Sequence, residues 1–289
     1  MERMNEKQDA FRQRDFLSLG PHGFHKIAYT EWGSAHNKRV ALCVHGLTRN
    51  GRDFDPLAAS LSADYRVACP DVAGRGQSDW LMHAEDYAYP TYITDMAAMI
   101  ARLGVPEVDW IGTSMGGLIG MMLAAQPNSP IRRLVMNDVG PFIPKSALER
   151  IGEYVGSNPH FKSLNEVETY LREVHAPFGD LTDMEWAHLA KHSARRGEKG
   201  GFVLHYDPAI GKAFKKGGLE DVDLWAVWSQ VRCPVLVIRG QQSDLLSLET
   251  AERMLTDGPE AELVEIETAG HAPALMDAEQ IGFIRDWLG

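Results

Sequence analysis

Short apolar runs alternate along this chain with longer stretches whose apolar positions recur every three or four residues. Arg39-Val-Ala-Leu-Cys-Val-His45 has an unbroken apolar middle, which suits a strand covered on both faces. Asp53 to Ser62 reads as a helix, Tyr65 to Cys69 as the next strand, and Thr91 to Leu103 as a helix with Ile93, Met96, Ala97, Ile100 and Leu103 on one side, stopped by Gly104. Val108–Ile111, Met115–Ala125 and Arg133–Asn137 continue the strand–helix–strand rhythm. It lapses from Pro141 to Trp228, where the pattern is helical, and resumes with Pro234–Gly240, a helix over Leu248–Leu255, a strand over Ala261–Glu267 and a closing helix over Asp277–Leu288. Phe16–Leu19 and Lys26–Trp32 are expected to form an antiparallel edge. The whole predicts an α/β fold with a mostly parallel central sheet and helices on both faces. Residues 1–140 and 229–289 form its core, and 141–228 an inserted helical cap.

Composition narrows the class. With 289 residues, 44% hydrophobic and 24% charged, the chain is an ordinary globular protein able to bury one large core, or a core plus a smaller cap. A net charge of −11 argues against a nucleic-acid partner, which needs a basic face; Lys215-Lys216 is a pair, not a patch. Met1 to Arg14 is polar and lacks the apolar segment of a secretory signal. The long uncharged stretch from Trp110 to Ile131 is broken by glycines and prolines and reads as strand–turn–helix, not as a membrane span. Cys43, Cys69 and Cys233 lie in or beside apolar runs without a Cys-x-x-Cys, as small buried hydrophobes would. A cytoplasmic protein with a small-molecule substrate is expected. An apolar stripe on the insert would serve a homo-oligomer or the pocket equally well.

The candidate chemistry lies at strand ends. Gly112-Thr-Ser-Met-Gly116 sits where a strand passes into a helix. Such a string arises by chance in roughly one chain in ten of this length, but here the serine can project from a sharp, strained turn whose flanking glycines let helix and strand approach closely. Ser114 is therefore the candidate nucleophile. A serine hydroxyl needs a base, and the base needs a group that fixes its tautomer. His271, in Thr268-Ala-Gly-His-Ala-Pro273, follows the last strand and is the expected base. Asp244, in Gly240-Gln-Gln-Ser-Asp, follows the preceding strand and is the preferred acid. Asp138 also ends a strand and is the rival, with capping of the entry to the insert as its other role. The backbone N–H groups of Met115 and of Leu47, the latter in His45-Gly46-Leu47, are the expected oxyanion donors. His45 is expected to brace that loop.

His45-Gly46, Asp71-Val-Ala-Gly-Arg-Gly-Gln-Ser78, Gly112-Thr-Ser-Met-Gly-Gly117, Gly240-x-x-Ser-Asp244 and Gly270-His271 together resemble the α/β-hydrolase superfamily, in particular its esterase and meta-cleavage-product hydrolase branches. The resemblance implies a helical cap at the insert, a pocket between cap and sheet, and a structural turn over Asp71–Asp79 with Arg75 buried near the active-site floor. It implies a serine hydrolase needing no metal or organic cofactor, with cleavage of a carboxylic ester as the leading expectation. Carbon–carbon hydrolysis, lactone opening, thioester cleavage and perhydrolysis use the same residues. Some carbon–carbon hydrolases of the superfamily carry Trp directly after the histidine, where this chain has Ala272-Pro273. A small-molecule receptor on the same fold is the alternative outside enzymes.

Overall fold

The computed structural model describes residues 11–215 and 218–289. The polar stretch before residue 11, the first part of the expected core segment, and Lys216 lie outside the described residues. Eight strands form one sheet: β1 (Phe11–Gly20), β2 (Gly23–Trp32), β3 (Val40–Val44), β4 (Arg66–Pro70), β5 (Val108–Thr113), β6 (Ile131–Asn137), β7 (Val235–Gly240) and β8 (Ala261–Ile266). Their spatial order is β1-β2-β4-β3-β5-β6-β7-β8. The β1–β2 and β2–β4 pairs are antiparallel, and every other pair is parallel.

Alternation along each central strand splits its side chains between two faces. Val40, Leu42 and Val44 of β3 join Trp110, Leu134 and Val237 on one face. That face is covered by α2 (Tyr89–Leu103) and α3 (Met115–Ala124). Ala41 and Cys43 join Ile111, Val135 and Ile238 on the other, under α1 (Asp55–Leu61) and the closing helix Ala278–Leu288. Double coverage is why these strands read as continuous apolar runs. Cys43 and Cys69 are buried and Cys233 is half-buried, all as free thiols. Among the described residues no helix is long and apolar enough to cross a membrane.

After β6 the chain leaves the sheet and returns only at β7. The intervening segment carries α4 (Lys145–Tyr154), α5 (Leu164–Val174) and α6 (Asp183–Ser193). It also holds two small antiparallel pairs that periodicity had not indicated, Phe142–Ile143 with Val222–Asp223 and Ala194–Arg196 with Phe202–Leu204. Two or three residues are too few to show a period of two. The first pair ties the entry of the insert to its exit. The second packs near the core turn: Arg75 bridges Tyr206, and Gly76 N–H donates to His205 O (2.9 Å).

Candidate active site

Ser114 stands between β5 and α3 with φ 52° and ψ −115°, a left-handed conformation that costs a non-glycine residue on the order of 1–3 kcal/mol. The turn is over-determined by its surroundings. A Cβ on Gly112 would lie 2.3 Å from Gly116 O, and one on Gly116 would lie 2.0 Å from Val44 O. Ser114 N–H donates to Asn137 O (2.9 Å), which ties the turn to the end of β6.

The hydroxyl meets an imidazole: Ser114 Oγ lies 3.0 Å from His271 Nε2. The other ring nitrogen, Nδ1, lies 2.7 Å from Asp138 Oδ2. Because a carboxylate accepts at Nδ1, that nitrogen carries the proton and Nε2 is free to accept from the serine. Asp138 is fully buried, directly after β6. It also accepts from Gly240 N–H (2.8 Å, at Oδ1) and from Ser243 Oγ (2.6 Å, at Oδ2).

The expectation for Asp244 is therefore corrected. Asp244 is exposed and bound to Arg150 of α4, with Nη2 at 2.9 Å and Nε also in contact. The turn after β7 closes by a Ser243 N–H to Gly240 O bond (2.9 Å). It sends Ser243 inward onto Asp138, and the next residue outward. Ser114 and His271 are brought together; Asp244 is not part of the group, and the rival Asp138 is.

The two expected oxyanion donors flank the serine. Met115 opens α3, where backbone N–H groups lack partners within the helix. A Cβ on Gly46 would lie 3.7 Å from Ser114 Cβ, so the loop carrying Leu47 runs against the nucleophile. Buried Arg75 braces both residues, its Nε donating to Leu47 O (2.8 Å) and its Nη2 lying 3.6 Å from Met115 Sδ. His45 holds the same loop. Its Nε2 accepts from Val72 N–H (2.9 Å) and its Nδ1 donates to Gly46 O (2.7 Å). Burial pulls its pKa down to about 3, so it is a neutral strut and not a second base.

The insert reaches this site through the turn at Ala176–Phe178. Pro177 O accepts from Gly270 N–H (2.7 Å) and Phe178 O from Ala274 N–H (3.3 Å), one on each side of His271. The aromatic ring of Phe178 stacks on buried His175 (4.6 Å, 22°). Among the described residues one group could offer metal ligands, Asp55, His188 and His192. Asp55 is already gripped by Arg52 (Nε at 2.9 Å from both oxygens), and His188 Nε2 lies 2.9 Å from Arg52 O. A guanidinium thus fills the place of a cation.

The comparisons with known proteins agree with this fold. The family model of the alpha/beta hydrolase fold matches residues 40–277. The chain is 48% identical over 271 residues to the 3-hydroxybutyrate-oligomer hydrolase of Cupriavidus necator, covering 91% of this chain and 92% of that one. A crystal structure from Rickettsia typhi superposes with a TM-score of 0.90 at 36% identity, covering 96% and 98% of the two chains. An alpha/beta hydrolase from Novosphingobium aromaticivorans does so with a TM-score of 0.87 at 34% identity, covering 97% and 99%. The sheet order, the turn at Ser114 and these matches lead to one conclusion: the chain belongs to the α/β-hydrolase family and is a hydrolase.

Proposed function

We propose that this protein hydrolyses ester bonds in short oligoesters of 3-hydroxybutyrate or close analogues, through an acyl-enzyme on Ser114. The observation that carries the reading is the continuous contact Ser114 Oγ–His271 Nε2 and His271 Nδ1–Asp138 Oδ2 in a chain 48% identical to an oligomer hydrolase. Ser114 Oγ attacks the acyl carbon as His271 Nε2 takes its proton, and Asp138 stabilises the resulting imidazolium. The N–H groups of Leu47 and Met115 receive the oxyanion, each worth about 3 kcal/mol of barrier. Collapse breaks the acyl–oxygen bond, and the leaving alcohol takes the proton from His271. Water then attacks the acyl-enzyme, passing one proton through His271 back to Ser114 Oγ and releasing the acid. Residues 141–228 act as the cap that closes the pocket over these steps.

Ser114→Ala should lower turnover of a 3-hydroxybutyrate dimer about a million-fold, and a fluorophosphonate should label the wild type at Ser114 alone. Labelling elsewhere, or a loss below tenfold in Ser114→Ala, would sink the assignment. Failure to cleave the dimer while short nitrophenyl esters turn over would leave an esterase but remove the oligoester substrate.

A further inference from the structure

Arg49 lies at the end of the loop that carries Leu47, and it is buried. Its Nε and Nη2 grip Asp53 (2.8 Å each); among the described residues Nη1 has no partner, and it is not sealed from solvent. A Cβ on Gly46 would sit 3.9 Å from Arg49 Cγ and 3.7 Å from Ser114 Cβ, so arginine and nucleophile share one wall. The guanidinium lies over the Phe178 ring (5.9 Å). That ring belongs to the turn bonded on both sides of His271. Arg49 and Ser114 therefore adjoin through Gly46, and the Phe178 turn links Arg49 to His271.

Asp53 occupies two of the three guanidinium nitrogens of Arg49, and Nη1 is the one left to bind another oxygen. His175, under Phe178, is held well below its ordinary pKa, chiefly by burial and then by Arg49, His271 and Arg150 around it. A guanidinium N–H left free on a buried arginine near the nucleophile suits a carboxylate.

Resting on the oligoester reading above, we propose that Arg49 Nη1 receives the free carboxylate of the substrate, so that the enzyme cleaves the ester next to the carboxyl end and releases the terminal hydroxy acid. In a 3-hydroxybutyrate dimer the scissile acyl carbon and the carboxylate carbon are four bonds apart, roughly 5 Å. A substrate held at Ser114 reaches Arg49 Nη1 only if the two groups stand about that far apart plus one contact distance at each end. Internal esters of a long chain lack the carboxylate and are poor substrates. Arg49 is a specificity residue: it touches the substrate's charge, not the reacting atoms.

The test compares kcat/KM for the dimer as free acid and as methyl ester. The wild type should favour the acid by about tenfold or more. Arg49→Gln/Asp53→Asn removes the pair without stranding a buried charge and should bring the ratio close to one. A wild type that does not favour the acid, or a ratio unchanged in the variant, overturns the proposal. If neither dimer is cleaved although nitrophenyl butyrate is, the oligoester reading fails and Arg49 is judged by inhibition. Free butyrate should then compete with nitrophenyl butyrate in the wild type and about tenfold more weakly in the variant. No competition in the wild type overturns the carboxylate site as well.

Discussion

An imidazole serves as a base only if its remote nitrogen keeps its proton, and at His271 that nitrogen faces Asp138 (2.7 Å). Asp138→Asn should lower kcat about ten-thousand-fold by allowing the wrong tautomer, while leaving the fold in place. Asp244→Asn removes an exposed partner of Arg150 and should cost less than tenfold; steady-state rates of the two purified variants decide between them. A larger loss at Asp244 than at Asp138 would reverse the assignment. Both carboxylates follow strands on the same edge of the sheet, which is as far as spacing reads. What separates them is the turn after β7, where Ser243 faces inward and its successor outward. No period governs a loop, so one residue of offset is invisible in the string. Ser114 and His271 were legible because each is pinned by glycines: Gly112 and Gly116 beside the first, Gly270 beside the second. Arg49 was not legible, since its meaning depends on Phe178, distant in sequence.

At the scale of the element, the strand–turn–helix from β5 to α3 tolerates no added atom. Gly116→Ala would put a methyl carbon 2.0 Å from the Val44 carbonyl, and backbone on both sides cannot yield cheaply. Urea unfolding should show a loss of about 3 kcal/mol or more. Gly282, inside the closing helix with open space around its Cα, is the control. Gly282→Ala should stabilise by about 0.5–1 kcal/mol through backbone entropy and helix propensity. Equal effects at the two sites would refute the packing argument. The central strands were read to within a residue or two, because burial on both faces leaves an apolar run. The edge was read short: the pattern indicates Phe16–Leu19, but β1 spans Phe11–Gly20. Most of its N-terminal half is polar, and Leu17 and Leu19 point outward at 67% and 56% exposure. With Gln13, Arg14 and Asp15 all exposed, that half carries no apolar period to read.

For the molecule as a whole, the titrations that matter are those of histidines built into the fold as neutral groups. Burial lowers His45 and His192 to about 3 from an ordinary 6.5, and lowers His175 and His205 as well. Between those values the unfolded chain binds protons that the folded one refuses, so the stability they contribute is present above pH 6.5 and is lost as pH falls toward 3. Two groups oppose this. Asp71 is raised to about 6 by burial, although Gly51 and Gln77 N–H groups donate to it. Its contribution is present below its ordinary 3.8 and fades as pH rises through 6. His25 is raised by the carboxylate of buried Asp95, whose Oδ1 lies 2.9 Å from its Nε2, and likewise favours the acid side. Four lowered histidines against two opposing groups make the protein acid-labile. Unfolding free energy from urea titrations should therefore fall between pH 7 and pH 5, with His45 alone accounting for up to about 2 kcal/mol. His45→Gln supplies a non-titrating side chain that can still bond Val72 N–H and Gly46 O. It should show a shallower fall than the wild type by about that amount, whatever its stability at pH 7. Parallel curves for the two proteins would mean that His45 titrates alike in both states, and that the loop bearing Leu47 is open enough in the folded enzyme to admit a proton and its water.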